Sequence, residues 1–354
     1  MSTNIWSRWL RDNHPRGLGF SHRSGWFAFA EDQSRRPLRR LSMAELSKLG
    51  EEEREDYDEC RRVWNVNMPV IRTHQLTAVV SVLDQVMYSN ARDGGRIKGG
   101  VAIDAPPGLG KTTIAATYAR RFHRRQIRRL GERTSAGHQR VPVVFVSLAA
   151  NMTLKSLNRQ IVEFYGHPAI EKLTAAKLAS LATEYVGRCE TGLIVVDDLH
   201  FVDFRHRMGV EVSNHLKWLA NELPVTFLYT GVGLASKAFF NEGMTGEGAA
   251  MAQTARRTTL CPVEPFTITT DAGARAWSDV LAAIEQHIIL ADARAGMLTD
   301  HAELMFERTQ GHIASLVSLV DRCCFMAING GAESITPAMI RSTALDNAAA
   351  RATA

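Results

Sequence analysis

Val101–Thr113 of this 354-residue chain reads VAIDAPPGLGKTT. Val101, Ala102 and Ile103 make an apolar run that predicts a strand, and Asp104 ends it. A loop of prolines and glycines follows, and Lys111-Thr112-Thr113 opens a helical run, Ile114–Phe122. Strand, loop and helix in that order are the setting of a phosphate-binding loop. Small residues let the backbone wrap an anion so that several N–H groups point inward. The positive end of the next helix adds to that field. Pro107, Gly108, Leu109, Gly110, Lys111, Thr112 and Thr113 are therefore the candidate nucleotide-binding residues. The motif places Lys111 on the β- and γ-phosphates and the Thr112 hydroxyl on Mg²⁺. The usual pattern starts with Gly six residues before the lysine, where this chain has Ala105. Ala is tolerated there if its φ is negative.

Outward from this loop, apolar strands alternate with helical patterns. The strands are Val141–Leu148, Gly192–Asp198, Val225–Thr230 and Thr258–Val263; Leu154–Tyr165, Ala169–Arg188 and Val210–Asn221 read as helices. That alternation predicts an α/β fold with a parallel sheet covered by helices on both faces. The near-continuous apolar strands imply burial on both sides. After Phe266 the pattern turns to helix only: Asp271–Leu290, Thr299–Arg308, Ile313–Asn329 and Pro337–Ala349. The last starts with Thr336 as N-cap and Pro337 at the first helical position. The expected division is an N-terminal arm over 1–70, a nucleotide-binding core over 71–266 and a small all-helical lid over 267–354. Thr73–Tyr88 shows helical spacing and leads through Gly94-Gly95 into the first strand. In the arm, Trp6, Trp9, Phe20, Trp26, Phe27 and Phe29 are scattered among arginines, glycines and prolines. It reads as irregular to helical, with aromatics that dock on a partner or on the chain's own core. Ser42 and Glu45 have capping-box spacing, and a charged helix is expected over Glu51–Trp64.

Hydrolysis needs an acidic group near Mg²⁺ and a group that orients water. Leu193–Asp198 ends an apolar run with Asp197 and Asp198. Burial of the run brings its carboxyl end beside the phosphate loop, where ligands bind in such sheets. Asp197 is the candidate Mg²⁺ ligand, and Asp198 the candidate group that polarises water. Thr230 ends the next strand. It is either a γ-phosphate sensor between the two motifs or a plain turn threonine before Gly231 and Gly233.

Composition sets limits. Hydrophobic residues make 45% and charged residues 22% of the chain, an ordinary globular balance. No apolar run approaches the roughly 20 residues needed to span a bilayer, and the N-terminus lacks the apolar core of a signal peptide. The expectation is a cytoplasmic chain with no membrane partner. Five cysteines with no CxxC pair fit a reducing compartment and argue against structural zinc. The net charge of +5 is clustered, which points to an acidic polymer partner.

Ala105–Thr113, Leu193–His200, Thr230, Arg256-Arg257 and the helical lid together resemble an AAA+ ATPase. Ile194–Phe201 (IVVDDLHF), the run from Arg256 through Pro265-Phe266, and Thr309–Val320 (TQGHIASLVSLV) further resemble the TniB/TnsC-type transposition ATPases, relatives of MuB. Many AAA+ proteins carry a sensor arginine early in the third lid helix; here the stretch is Gly311-His312-Ile313-Ala314. The resemblance implies ATP with Mg²⁺ and head-to-tail assembly into rings or filaments on double-stranded DNA. It also implies recruitment of a transposase, with a target-selection protein as a further partner. Hydrolysis would then take the assembly apart. Arg256 and Arg257 become candidate catalytic fingers reaching a neighbour's γ-phosphate; by themselves they read equally as a solvated pair beside a strand. By analogy with the family, Lys155 and Arg159 after the second strand, and Arg205 and Arg207 after the acidic motif, are the candidate DNA-facing residues. Arg120, Arg121, Arg124, Arg125, Arg128 and Arg129 crowd the end of the first core helix, as a solvated helix end or a second basic face. Two other readings compete: a STAND-type signalling or defence ATPase without DNA binding, and a helicase- or clamp-loader-like motor.

Overall fold

The structure, a computed structural model, describes residues 4–13, 17, 19–32, 35–92, 97–149, 153–168, 170–201, 207–234 and 257–345. In chain order the helices are α1 (Ile5–Asp12), α2 (Arg23–Glu31), α3 (Met43–Leu46), α4 (Glu51–Asn65), α5 (His74–Ser89), α6 (Lys111–Leu130), α7 (Leu154–Phe164), α8 (Ala175–Arg188) and α9 (Arg207–Glu222). After the last strand come α10 (Asp271–His287), α11 (Ala302–Thr309), α12 (Ile313–Asn329) and α13 (Pro337–Ser342). The strands are β1 (Gly100–Asp104), β2 (Val143–Ser147), β3 (Leu193–Asp197), β4 (Thr226–Gly231) and β5 (Thr258–Pro262). The expected Gly94-Gly95 turn lies outside the described residues.

The chain forms two compact units. One joins Leu18–Asp32 to Gln75–Glu264; the other joins Met1–Gly17 and Gln33–His74 to Pro265–Ala354. The first holds a parallel sheet in the order β2-β3-β4-β1-β5. β1 runs between β4 and β5, whereas the next strand in sequence, β2, lies at the far edge. The order therefore reverses at β1, and open α/β sheets bind ligands beyond the carboxyl ends of their strands at such a point. Leu193–Asp197 is buried at every position, as a strand covered on both faces must be.

Part of the N-terminal stretch belongs to this unit. Trp26 of α2 is fully buried, its ring centroid 5.7 Å from that of Phe145 on β2 in a near-parallel stack. Its indole N–H donates to Nδ1 of His123 on α6 at 3.2 Å. Burial and the nearby Arg124 push His123 down to about 4, so the ring accepts that bond as a neutral imidazole at ordinary pH.

The second unit packs α10–α13 around Trp277, Leu281, Leu316, Leu319 and Val320. Trp6 and Trp9 of α1 and Tyr57, Cys60 and Val63 of α4 form a further cluster with Ile289. The capping box stands as the spacing predicts: the Glu45 N–H donates to Ser42 Oγ at 3.3 Å and the Ser42 N–H to Glu45 Oε2 at 2.9 Å. Four expected helices are shorter, one of them Thr299–Arg308, whose first turn Thr299–His301 is a tight turn ahead of α11. Residues 170–188 break into a tight turn, Ile170–Lys172, and α8, because Thr174 caps α8 through the Lys177 N–H at 3.2 Å. α10 ends at His287, where Ile288 turns extended and the buried run Ile288–Leu290 enters the core. α13 ends at Ser342, where Thr343 turns extended and donates its hydroxyl to the Met339 carbonyl at 2.7 Å. Gly311 has a φ of +71°, and a Cβ there would stand 2.2 Å from the Phe266 carbonyl oxygen. The backbone at Gly311 is thus packed for glycine. No single helix among the described residues is long and apolar enough to cross a membrane.

A buried ion network ties α4 to the turn after α12. Both Nη atoms of Arg61 donate to the Glu333 carboxylate, one of them at 3.0 Å, and Arg61 also pairs with Asp58. Arg54 Nη2 and the Ala291 N–H donate to the same carboxylate, each at 3.0 Å. Arg61 and Glu333 are fully buried, so removing Glu333 leaves the two arginines only Asp58 for compensation. Glu333→Ala is expected to destabilise this unit by about 3–5 kcal/mol in urea unfolding. A change of a few tenths would mean that the network carries no net stability.

Candidate nucleotide-binding site

The loop after β1 begins pinned: the Ala105 N–H donates to the Gly231 carbonyl of β4 at 3.1 Å. Ala105 is buried and lies outside the left-handed region, so a Cβ is accommodated where the usual motif has Gly. The left-handed turns come at Gly108 and Gly110, with φ of +79° and +77°. Gly110 is the N-cap of α6, and its carbonyl accepts from the Ile114 N–H at 2.8 Å. The first-turn N–H groups of α6 therefore open onto the loop.

Lys111 is buried and folds back on the loop. Its Nζ donates to the carbonyls of Ala105 at 2.9 Å and Pro106 at 2.8 Å, which leaves one of its three donors for a further acceptor. Burial lowers its pKa, opposed by the nearby carboxylates of Asp197, Asp198 and Asp104. A cation thus sits desolvated among acids at the carboxyl edge of the sheet, an arrangement suited to gripping a polyanion.

Asp197 is the meeting point. The Thr112 hydroxyl donates to its Oδ2 at 2.8 Å, and the Thr230 hydroxyl donates to its Oδ1. The Asp198 N–H adds a bond to Oδ1 at 3.1 Å. Sheet order explains the convergence: β4 separates β1 from β3, so a threonine at its carboxyl end reaches the acid of the next strand. A hydroxyl and a carboxylate oxygen 2.8 Å apart are the hard donors Mg²⁺ takes. The donor set fits that ion, with Thr112 and Asp197 to hold it.

Asp198 turns away from the strand with a φ of +59°, a conformation Asp adopts more readily than most residues. Burial and the charge of Asp197 raise its pKa, opposed by His200 and Lys111. His200 Nδ1 lies 3.8 Å from Asp198 Oδ1. Two contributors were not singled out in the sequence reading. The first is His200, for which the D-L-H spacing was the available signal. The second is the Gly231 carbonyl, which no side-chain pattern announces.

The loop residues, Asp197, Asp198 and Thr230 come together, and Arg257 does not join them. Arg257 precedes β5 at the amino edge of the sheet, where its Nη1 donates to Asn221 Oδ1 at 2.9 Å. The β1–β5 register puts it roughly 17 Å, five strand residues, from the loop end. Arg205 and Arg256 lie outside the described residues, and Arg207 opens α9 with its side chain not described. Lys155 and Arg159 are exposed one turn apart on α7, Arg159 Nε being 3.7 Å from Glu163.

Thr230 is fully buried. Thr230→Val would leave Asp197 short of a partner, with an expected loss of about 1–3 kcal/mol in thermal unfolding. An unchanged melting temperature would show that the bond carries no stability.

Comparison with known proteins places this geometry. Residues 96–236 match the family model described as AAA domain. No curated protein matches significantly. Among solved structures, the Aeropyrum pernix ORC1 protein in complex with DNA is similar at 17% identity and a TM-score of 0.59, covering 80% of this chain and 68% of that one. The Aeropyrum pernix ORC2 protein in ADPNP–ADP complexes is similar at 15% identity and a TM-score of 0.56, covering 83% and 71%. Drosophila ORC bound to DNA is similar at 11% identity and a TM-score of 0.51, covering 88% and 70%. The match over residues 96–236 and the structural likeness agree on the P-loop AAA+ fold.

Proposed function

We propose that this chain is a cytoplasmic, ATP-dependent DNA-binding regulator of transposition. It assembles head to tail on double-stranded DNA with little sequence preference and recruits or activates a transposase. The observation that carries the nucleotide part is the bond from Thr112 to Asp197. It joins the loop helix to the acidic strand end, the two halves that a triphosphate site requires. Support for a duplex partner comes from the DNA-bound ORC1 and ORC structures of similar fold and from the exposed Lys155 and Arg159. Support for transposition comes from the resemblance of Ile194–Phe201 and Thr309–Val320 to the TniB/TnsC type.

In this reading Pro107–Thr113 wrap the phosphates and Lys111 neutralises their charge. Mg²⁺, held by Thr112 and Asp197, supplies charge neutralisation at the phosphates when bound. Asp198 accepts the proton of the attacking water, and Thr230 holds Asp197 in place. Arg256 and Arg257 serve a neighbouring subunit. Arg257 stands at the edge of the sheet away from its own loop, as a finger acting on another copy would. Such a group supplies on the order of 10³–10⁵ in rate in well-studied cases. A head-to-tail contact is heterologous, giving rings if it closes and filaments if it does not. Nucleotide bound at that contact stabilises assembly by linkage.

Lys111→Ala is expected to abolish ATP binding and, through linkage, ATP-dependent duplex binding, read by fluorescence anisotropy. Unchanged DNA affinity in that variant would break the link between the two ligands. Duplex binding that is absent with and without a slowly hydrolysed ATP analogue would favour the signalling ATPase.

Asp198→Asn is expected to keep assembly and to slow turnover at least tenfold, prolonging the complexes. In the parent, a raised Asp198 pKa means that the base takes its proton at a higher pH than an ordinary aspartate. Turnover should therefore fall on the acid side above the ordinary Asp range. His200 favours the ionised form, so His200→Ala should move that limb further up. An unmoved limb would place His200 outside the field of Asp198.

A further inference from the structure

The crowded arginines of α6 do not form a uniform solvated helix end. Arg120, Arg121, Arg124, Arg125 and Arg128 line an open cleft of about 560 Å³ with Asp84 of α5. Residues 120, 124 and 128 lie on one line of the helix and 121 and 125 on the next. Five guanidinium groups face one carboxylate, so the cleft is strongly cationic.

The two lines are held differently. Arg120 and Arg124 donate to the carbonyls of Ala30 and Asp32 at the end of α2, including Arg124 Nη2 to Asp32 at 2.5 Å. They are fixed by the docked α2, with their charge unneutralised by any carboxylate in those bonds. Arg121 and Arg125 share Asp84, at 2.5 Å and 3.9 Å. Arg128 is exposed at the open end. Burial and the neighbouring Arg124 lower the pKa of Arg120, opposed by Asp32.

The aromatic faces in this region are already covered. Arg120 lies over Phe29 at 5.0 Å, Arg121 over Tyr118 at 5.1 Å and Arg125 over Phe122 at 5.6 Å. Each of these rings already has a guanidinium over it, so charge and guanidinium forks dominate what the row offers a ligand. From 120 to 128 the row runs about 12 Å along the helix. That equals the axial length of three to four successive phosphates on one strand, at about 3.4 Å each. An open row of forks suits a chain of phosphates better than one compact anion.

We propose that this cleft is a second, sequence-independent contact for the phosphate backbone of duplex DNA, separate from the α7 face. It rests on the reading that duplex DNA is a partner, and its test separates the two. The duplex is a fluorescent 30-base-pair DNA, titrated by anisotropy at several salt concentrations with a slowly hydrolysed ATP analogue. The variant R121A/R125A/R128A spares the two arginines that hold α2. It should bind ATP normally, weaken duplex binding at least tenfold at 0.1 M salt, and lower the log–log salt slope by about 2–3, near 0.9 for each lost phosphate contact. Asp84→Asn removes the acidic group that lines the cleft and keeps an acceptor for the Tyr118 hydroxyl, 3.2 Å away; it should tighten duplex binding severalfold. If the triple variant does not fold, Asp84→Asn decides alone, and unchanged or weaker binding overturns the proposal. An unchanged slope in a folded triple variant, with loss in Lys155→Ala/Arg159→Ala, overturns the cleft and keeps the duplex partner. No duplex binding by the parent overturns both. A triple variant that loses a poly-glutamate peptide but keeps the duplex assigns the cleft to an acidic protein and also overturns it.

Discussion

The Asp197 carboxylate is the point at which three elements of the sheet unit are tied together. Thr112 approaches from the first turn of α6, Thr230 from the end of β4, and the Asp198 N–H from the turn that leaves β3. Asp197 is itself buried, and a buried carboxylate is tolerated only when its lone pairs are met. That requirement sets the relative positions of the glycine loop and the acidic strand end to within a hydrogen bond. Lys111 depends on the same arrangement, because the acids around it offset the burial that lowers its pKa. The chemistry of the site and the packing of the sheet are thus one constraint.

The N-terminal stretch shows a second use of charge and aromatic burial. Trp26 enters the core against Phe145, and the carbonyls that end α2 engage Arg120 and Arg124. A cationic helix receives the negative end of another helix, which is favourable at partly buried sites. In the other unit, α4 lends Arg54 and Arg61 to Glu333. Each N-terminal helix contributes to the core of the unit in which it lies. Electrostatically, the outcome differs: the Glu333 network closes on itself, while the α6 cleft keeps an excess of positive charge that a polyanion can use.

The pattern of strands and helices was legible because parallel strands buried on both faces leave continuous apolar runs, as in Leu193–Asp197. The glycine loop was legible because left-handed φ at Gly108 and Gly110 needs residues without a Cβ. Lys111, Thr112, Asp197 and Asp198 could be named for the same reason: their spacing on strand ends implies convergence at a parallel sheet's carboxyl edge. The helix ends at Ser342 and His287 were not legible. Helical spacing continues past both, and the chain leaves the helix there because Thr343, Ile288 and Ile289 have tertiary partners.

By itself, then, the sequence determined the α/β architecture and the identity of the loop and acidic residues, since local periodicity and backbone conformation are encoded position by position. The tertiary structure alone decided that Thr230 serves Asp197, that Arg257 stands at the opposite edge of the sheet, and that Trp26 belongs to the core. It also decided which of the α6 arginines hold α2 and which line an open cleft. These depend on strand order and on contacts far apart in sequence, 97 residues for Trp26 to His123, and no local pattern records such pairings.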